Sequence, residues 1–250
     1  MNAVVPTFEE LNWTYPSEDD ARLAFDEAFI GKEYSFRSSS DSPLIVDCGA
    51  HIGTSVLFFK SAFPLSSILA FEPNPDLFRY LADNVNRNGL KSVDIREIAL
   101  SDTDGAELLF GGFDGSQSTL ANSTMRAWGE RPHSTSKFVV ARQLSPFLNR
   151  PVDFLKMNIE GAECAVLREI LSAGAIVRVE QLYVQFHLCD QGNSWSDLQG
   201  IKEALEAAGF SVALDEKQVL QYLPIDLGGW AAARQPRIIA ARATRRAGAR

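Results

Sequence analysis

The chain has 250 residues, 46% of them hydrophobic, with 24 Lys and Arg against 32 Asp and Glu, a formal net charge of −8. A chain this long buries enough surface to hold a core without disulfide or metal staples, and its acidic balance argues against nucleic-acid binding, which needs basic side chains to neutralise phosphates. Cys48, Cys164 and Cys189 make neither an even disulfide set nor a metal-ligand spacing, the acidic start has no signal-peptide pattern, and no apolar run approaches the ~18 residues of a membrane span, so a cytoplasmic protein with no metal and no membrane partner is expected.

Residues 1–40 read as an N-terminal cover: ARLAFDEAF (21–29) has near-helical apolar spacing, and RSSSDS (37–42) looks like a boundary loop. LIVDCG (44–49) is short and almost wholly apolar, as a strand covered on both faces requires, and GTSVLFFKSAF (53–63) continues it as a helix. SILAFE (67–72) is a second strand. PDLFRYLADNVNRNG (75–89) is a helix, with Pro75 early, Leu77, Tyr80, Leu81 and Val85 on one face and Gly89 at its end. VDIREIAL (93–100) and AELLFG (106–111) read as strands around the turn DTDG. Residues 111–137 are rich in Gly, Ser and Thr, and a loop this long is usually functional; it is a candidate lid.

KFVVARQL (137–144) precedes VDFLKMNIE (152–160), a buried-strand candidate followed by the helix GAECAVLREILSAG (161–174). QLYVQFH (181–187) is a further strand and WSDLQGIKEALEAAG (195–209) a further helix. FSVALDE (210–216) and RIIAARA (237–243) form a terminal antiparallel pair. Six Arg lie in residues 234–250, leaving 18 basic residues against 32 acidic ones in the rest of the chain. Residues 244–250 read as a basic, solvated tail, outside a main domain of 41–243.

Strands alternating with helices predict a mainly parallel sheet, whose ligands bind beyond the carboxyl ends of the strands. At those ends the turn D-C-G-A-H-I-G places Gly49 and Gly53 where backbone must turn sharply, and Glu72 closes the next strand. A glycine turn followed by such an acid is the pattern of nucleoside-binding sheets, the acid accepting hydrogen bonds from ribose hydroxyls. The turn lacks the G-x-G-x-x-G of a dinucleotide site. It fits S-adenosylmethionine (SAM) better, with Asp47 on the ammonium side, and leaves a nicotinamide-dependent oxidoreductase as the alternative.

VDCGAHIGTSVLFF, AFEPNPDLFRYLADNVNRNGL, IREIALSDTDG and VDFLKMNIEGAECAVL, in this order and at these intervals, resemble the FkbM family of SAM-dependent methyltransferases, from about Leu44 to Leu171. The resemblance implies a Rossmann-like class I methyltransferase sandwich, α/β, with a mostly parallel seven-stranded sheet and an antiparallel last strand. It also implies O-methylation of a hydroxyl on a small-molecule acceptor, a sugar or secondary metabolite. Carried over by position, Asp47, Gly49, Ala50 and Gly53 would surround the methionine part of SAM. Glu72, Pro73 and Asn74 would hold the ribose edge, the turn Ala99 to Asp102, with Ser101 in it, would lie against the adenine, and Asn158 to Glu163 would floor the site.

Three positions depart from the family pattern: His51 stands for Asn, Asn158 for Asp and Gln185 for Glu. An amide keeps hydrogen-bonding ability and loses charge, which weakens a metal-dependent mechanism and leaves a SAM-binding, non-catalytic relative as a further alternative. His187, ending a strand, is the first candidate for the base that deprotonates the acceptor. Glu160 is the second, Glu163 is expected to pack or cap, and His133 would need lid closure. Trp13, Tyr15, Trp128 and Trp195 lie in or beside loops and suit a flat or apolar acceptor, although core packing is the commoner use of such residues.

Overall fold

The computed structural model describes residues 6–113, 123–124, 133–188, 193–217 and 237–248. Its strands are β1 (Leu44–Cys48), β2 (Ser67–Phe71), β3 (Val93–Arg96), β4 (Ala99–Leu100), β5 (Gly105–Phe113), β6 (His133–Arg142), β7 (Val152–Met157), β8 (Val179–Leu188), β9 (Phe210–Lys217) and β10 (Arg237–Arg245). The α-helices are α1 (Glu18–Phe25), α2 (Thr54–Ala62), α3 (Pro75–Arg87), α4 (Glu163–Ser172) and α5 (Trp195–Ala207). A seven-stranded sheet runs in the order β3-β2-β1-β7-β8-β10-β9. All its pairings are parallel except those of β10, which is antiparallel to both β8 and β9. This is the mostly parallel seven-stranded sheet with an antiparallel last strand that the resemblance implies.

Alternation along the strands divides the core. Val46, Cys48, Leu155, Met157, Val184 and Phe186 face α4 and α5. Ile45, Ile68, Ala70 and Phe154 face α2, α3 and the N-terminal segment. That segment is built into the same core rather than set apart from it. Phe8 packs edge-on against Trp13 and Phe25, and Asn84 of α3 ties it down, accepting from the Thr14 N–H at 2.6 Å and donating to Thr14 O at 2.9 Å and Ile52 O at 2.8 Å. The expected boundary loop is pinned as well, since Asp153 accepts from the Ser38 hydroxyl and the Leu44 N–H.

Two expectations change. The single strand anticipated over 93–100 divides, because β2 ends at Phe71, the partner of Arg96, and offers no ladder beyond it. The chain then leaves the main sheet, and β4 pairs with β6 in a second sheet of three strands, β4-β6-β5. The basic C-terminal stretch is held down at Arg245, although Thr244 and residues 246–248 are exposed. Strand β10 runs through Arg245, whose guanidinium donates to the carbonyls of Ile176, Val179 and Ala208 and lies 4.4 Å from the centre of the Phe210 ring. Arg242 donates to the carbonyls of Glu33 and Ser35. Among the described residues no helix is long and apolar enough to cross a membrane.

Candidate functional site

Strand order reverses between β1 and β7, since β2 and β3 extend the sheet on one side of β1 and β8 on the other. Ligands of such sheets bind at that switch point, beyond the carboxyl ends. The turn after β1 and the segment after β7 meet there closely: the Asn158 N–H donates to Cys48 O at 2.9 Å, and a Cβ on Gly49 would stand 1.9 Å from Asn158 O. Gly49, with φ +90°, is therefore required by both conformation and space. His51 has φ +52°, a left-handed conformation that Asn and His tolerate better than most residues, which accounts for His in place of the family's Asn. Burial pushes its imidazole down to about 4 against the opposing charge of Asp20, so the ring is neutral at pH 7.

The N–H groups of Gly49 and Ala50 bond Phe71 O, and that of Gly53 bonds Ala50 O. What the turn offers an anionic group is the start of α2, where the N-cap Gly53 has no side chain to satisfy the first N–H groups. Asp47 is fully enclosed. It pairs with Lys156 at 3.0 Å and accepts from the Ser55 hydroxyl at 2.5 Å, while Lys156 also donates to Gly49 O at 2.5 Å. Its charge is neutralised inside the sheet, so its contribution to the turn is to hold Lys156 beneath it.

Glu72 sits at the end of β2 with both oxygens oriented, one accepting from the His51 N–H at 2.9 Å and the other from the Asn74 N–H at 2.8 Å. Burial raises its carboxyl to about 7 in spite of those two bonds. Asn74 uses its side chain to cap α3, accepting from the Asp76 N–H, and Pro73 lies half-buried between them. Ala99 belongs to β4 and is buried. Ser101 donates its hydroxyl to Glu107 and its N–H to Arg142 O.

A chain of three ionisable groups crosses the ends of β7 and β8. Glu163, fully buried on the first turn of α4, accepts from the N–H groups of Ile159 and Gly161 and lies 2.8 Å from His187 Nδ1. His187 Nε2 lies 3.4 Å from Glu160, whose side chain is 17% exposed and so opens on the site. Burial opposes the charged imidazole, but the two carboxylates outweigh it and raise His187 to about 9. Burial raises Glu160 to about 7, with His187 opposing. Near neutral pH His187 is thus the cation of the group, and Glu160 is the member poised to gain or lose a proton. Glu160 has φ +52°, a conformation costing about 1–2 kcal/mol. The surroundings enforce it: the Ser123 hydroxyl donates to Glu160 O at 2.5 Å and Asn193 Nδ2 donates to Gly161 O at 2.6 Å.

The N-terminal segment brings a residue that nothing in its sequence marks. Glu27, half-buried in the π-helical turn Asp26–Ile30, accepts from the Tyr34 hydroxyl at 2.6 Å and from Gln185 Nε2 at 3.3 Å. Lys156 did carry a signal, being a charge within an otherwise apolar buried-strand run. Trp13 and Tyr15 pack against Phe8, and Trp195 begins α5 at 46% exposure. His133 opens β6, whereas Cys189, Trp128 and most of the candidate lid lie outside the described residues. Among the described residues no group of three or more His, Cys, Asp and Glu is placed to hold a metal ion.

The family model described as the Methyltransferase FkbM domain matches residues 47–212. The chain is 30% identical over 206 residues to "Methyltransferase 1" of Beauveria bassiana, covering 76% of this chain and 80% of the relative. It is 27% identical over 190 residues to "Methyltransferase sdnD" of Sordaria araneosa, covering 65% of this chain and 73% of the relative. Among solved structures, the methyltransferase FkbM from Methylobacillus flagellatus superposes with a TM-score of 0.50 at 15% identity, over 93% of this chain and 57% of that one.

Proposed function

The chain belongs to the FkbM methyltransferase family, and on that premise we propose that it methylates a hydroxyl of a small molecule, a sugar or secondary metabolite, with SAM as donor and in the cytoplasm. The observation that carries the reading is Glu160, a carboxylate raised to about 7 at the switch point and backed by an imidazolium.

The residues present fit the cofactor. Glu72 is oriented to accept from ribose hydroxyls, the start of α2 can take a carboxylate, and the buried Asn158 Oδ1 has no hydrogen-bond partner among the described residues. SAM, when bound, supplies an electrophilic methyl group on a sulfonium. Glu160 accepts the hydroxyl proton of the acceptor as oxygen attacks, general-base help that contributes about 10²–10⁴ in rate. His187, offered by the sequence as the base, instead keeps Glu160 ionised, and Glu163 fixes the tilt of the imidazole and the loop that carries Glu160.

The test is incubation with methyl-labelled SAM and a small-molecule extract of the source cells. Label recovered as an alkali-stable methyl ether supports the reading. Label on an ester or an amine, or no transfer at all, refutes it.

A further inference from the structure

The turn between β7 and α4 holds two successive residues at positive φ, Glu160 at +52° and Gly161 at +107°. Glycine takes that conformation freely, whereas glutamate resists it. Relaxation of Glu160 to an ordinary φ near −60° is a rotation of roughly 110°, which would swing its side chain off the His187 imidazole. The turn does not lock itself. Glu163 takes the N–H groups of Ile159 and Gly161, but the carbonyls of Glu160 and Gly161 are held from outside, by Ser123 and Asn193, which lie 37 and 32 positions away in the chain. Both residues are buried.

Asn193 has the wider reach. Its Nδ2 donates to Gly161 O at 2.6 Å and to His187 O at 3.5 Å, so one amide bridges the turn that carries Glu160 and the strand that carries His187. Those two carbonyls fix the orientation of the amide, since a flip would set its oxygen against both. Asn193 is itself anchored, by a bridge to Leu188 and by the capping box of Ser194 and Asp197 that starts α5 immediately after it.

We propose that Asn193 and Ser123 are positioning residues for methyl transfer, holding Glu160 in its left-handed conformation so that its carboxylate stays beside His187 and faces the acceptor hydroxyl. The inference rests on the proposed role of Glu160 as base. The left-handed conformation costs about as much as one hydrogen bond contributes. The two bonds together therefore hold the turn, and loss of either one releases part of the population.

The experiment is nitrogen-edited NMR of the full chain through a pH titration, with Ser123→Ala and Asn193→Ala each made alone and on Glu160→Gln. The charges that act on His187 are Glu160 from the turn, Glu163 from α4 and Glu27 from the N-terminal segment, and none of them is altered by the two alanine variants. Each single variant should nevertheless lower the His187 midpoint part of the way to its Glu160→Gln value. On Glu160→Gln the same substitutions should move it no further, the non-additivity of residues that act through one contact. Transfer of label from methyl-labelled SAM to the small-molecule extract should slow by about two- to tenfold in each single variant, the factor a net hydrogen bond is worth. Calorimetry should show S-adenosylhomocysteine, and 5′-methylthioadenosine, which lacks the amino-acid moiety, bound as by the unaltered chain. A His187 midpoint unmoved in both variants, or lowered equally with and without the Glu160 carboxylate, overturns the clamp, and so does loss of ligand binding in both. Transfer unimpaired by Glu160→Gln overturns the base reading, and with it the catalytic use of the clamp, even where NMR shows the carboxylate held.

Discussion

The division of labour between His187 and Glu160 can be read directly from the imidazole. The rise of His187 from 6.5 to about 9 corresponds to roughly 3 kcal/mol in favour of its protonated form. Because the folded value lies above the unfolded one, this stabilisation is fully present below 6.5 and is lost as pH rises through about 9. Of the two carboxylates, Glu160 contributes the larger charge effect, and at 3.4 Å its attraction has an upper bound of about 5 kcal/mol for an effective dielectric constant of ~20. Glu160→Gln should therefore lower His187 by at least about one pH unit. It should not return the ring to its ordinary value, since Glu163 remains 2.8 Å away. The chain has 3 histidines, so nitrogen-edited NMR across a pH titration resolves each ring. His51 should stay neutral down to about pH 4 and His187 charged up to about pH 9. A wild-type His187 titrating near 6.5, or one indifferent to Glu160→Gln, would refute the ion-pair account and restore the imidazole as base.

Lys156→Met leaves the Asp47 carboxylate buried without its cation and should destabilise the protein by about 3–5 kcal/mol in urea denaturation; Asp47→Asn in the same chain should recover part of the loss. Gly49→Ala must adopt a positive φ and push Asn158 O away. It should cost more than the ~1–2 kcal/mol of the backbone alone and should abolish binding of S-adenosylhomocysteine, and a variant of unchanged stability would contradict the contact. Glu72→Ala removes the acceptor of two backbone N–H groups and of the ribose, so calorimetry should show at least ~10-fold weaker binding of S-adenosylhomocysteine and of methylthioadenosine alike. Arg245→Ala strips three carbonyls of their donor and should lower stability by about 2–3 kcal/mol, whereas a solvated tail residue would leave the unfolding midpoint unmoved.

The sequence by itself determined the order of the main sheet's strands and of the helices that follow them, the antiparallel last pair and the positions of the glycine turn and of Glu72, because each is written in local terms; it did not show that 93–100 divides or that β4, β5 and β6 form a second sheet. Apolar runs bounded by turns make buried strands, Gly49 and Gly53 permit conformations other residues resist, and an acid closing a strand needs only its place in the order. The motifs that resemble the FkbM family lie along those same elements, so membership was legible before any contact was known. Tertiary structure decided whatever depends on which charges come to lie side by side. Asp47 and Lys156 neutralise each other because β1 and β7 are neighbours in register. His187 is held protonated because α4 returns Glu163 beneath it while the loop before α4 sets Glu160 across from it. Glu27 reaches Gln185, 158 positions further along the chain, because the N-terminal segment shares the core with α2 and α3. The protonation state of a side chain is a property of its neighbours in space, and no pattern of residue types along the chain carries it.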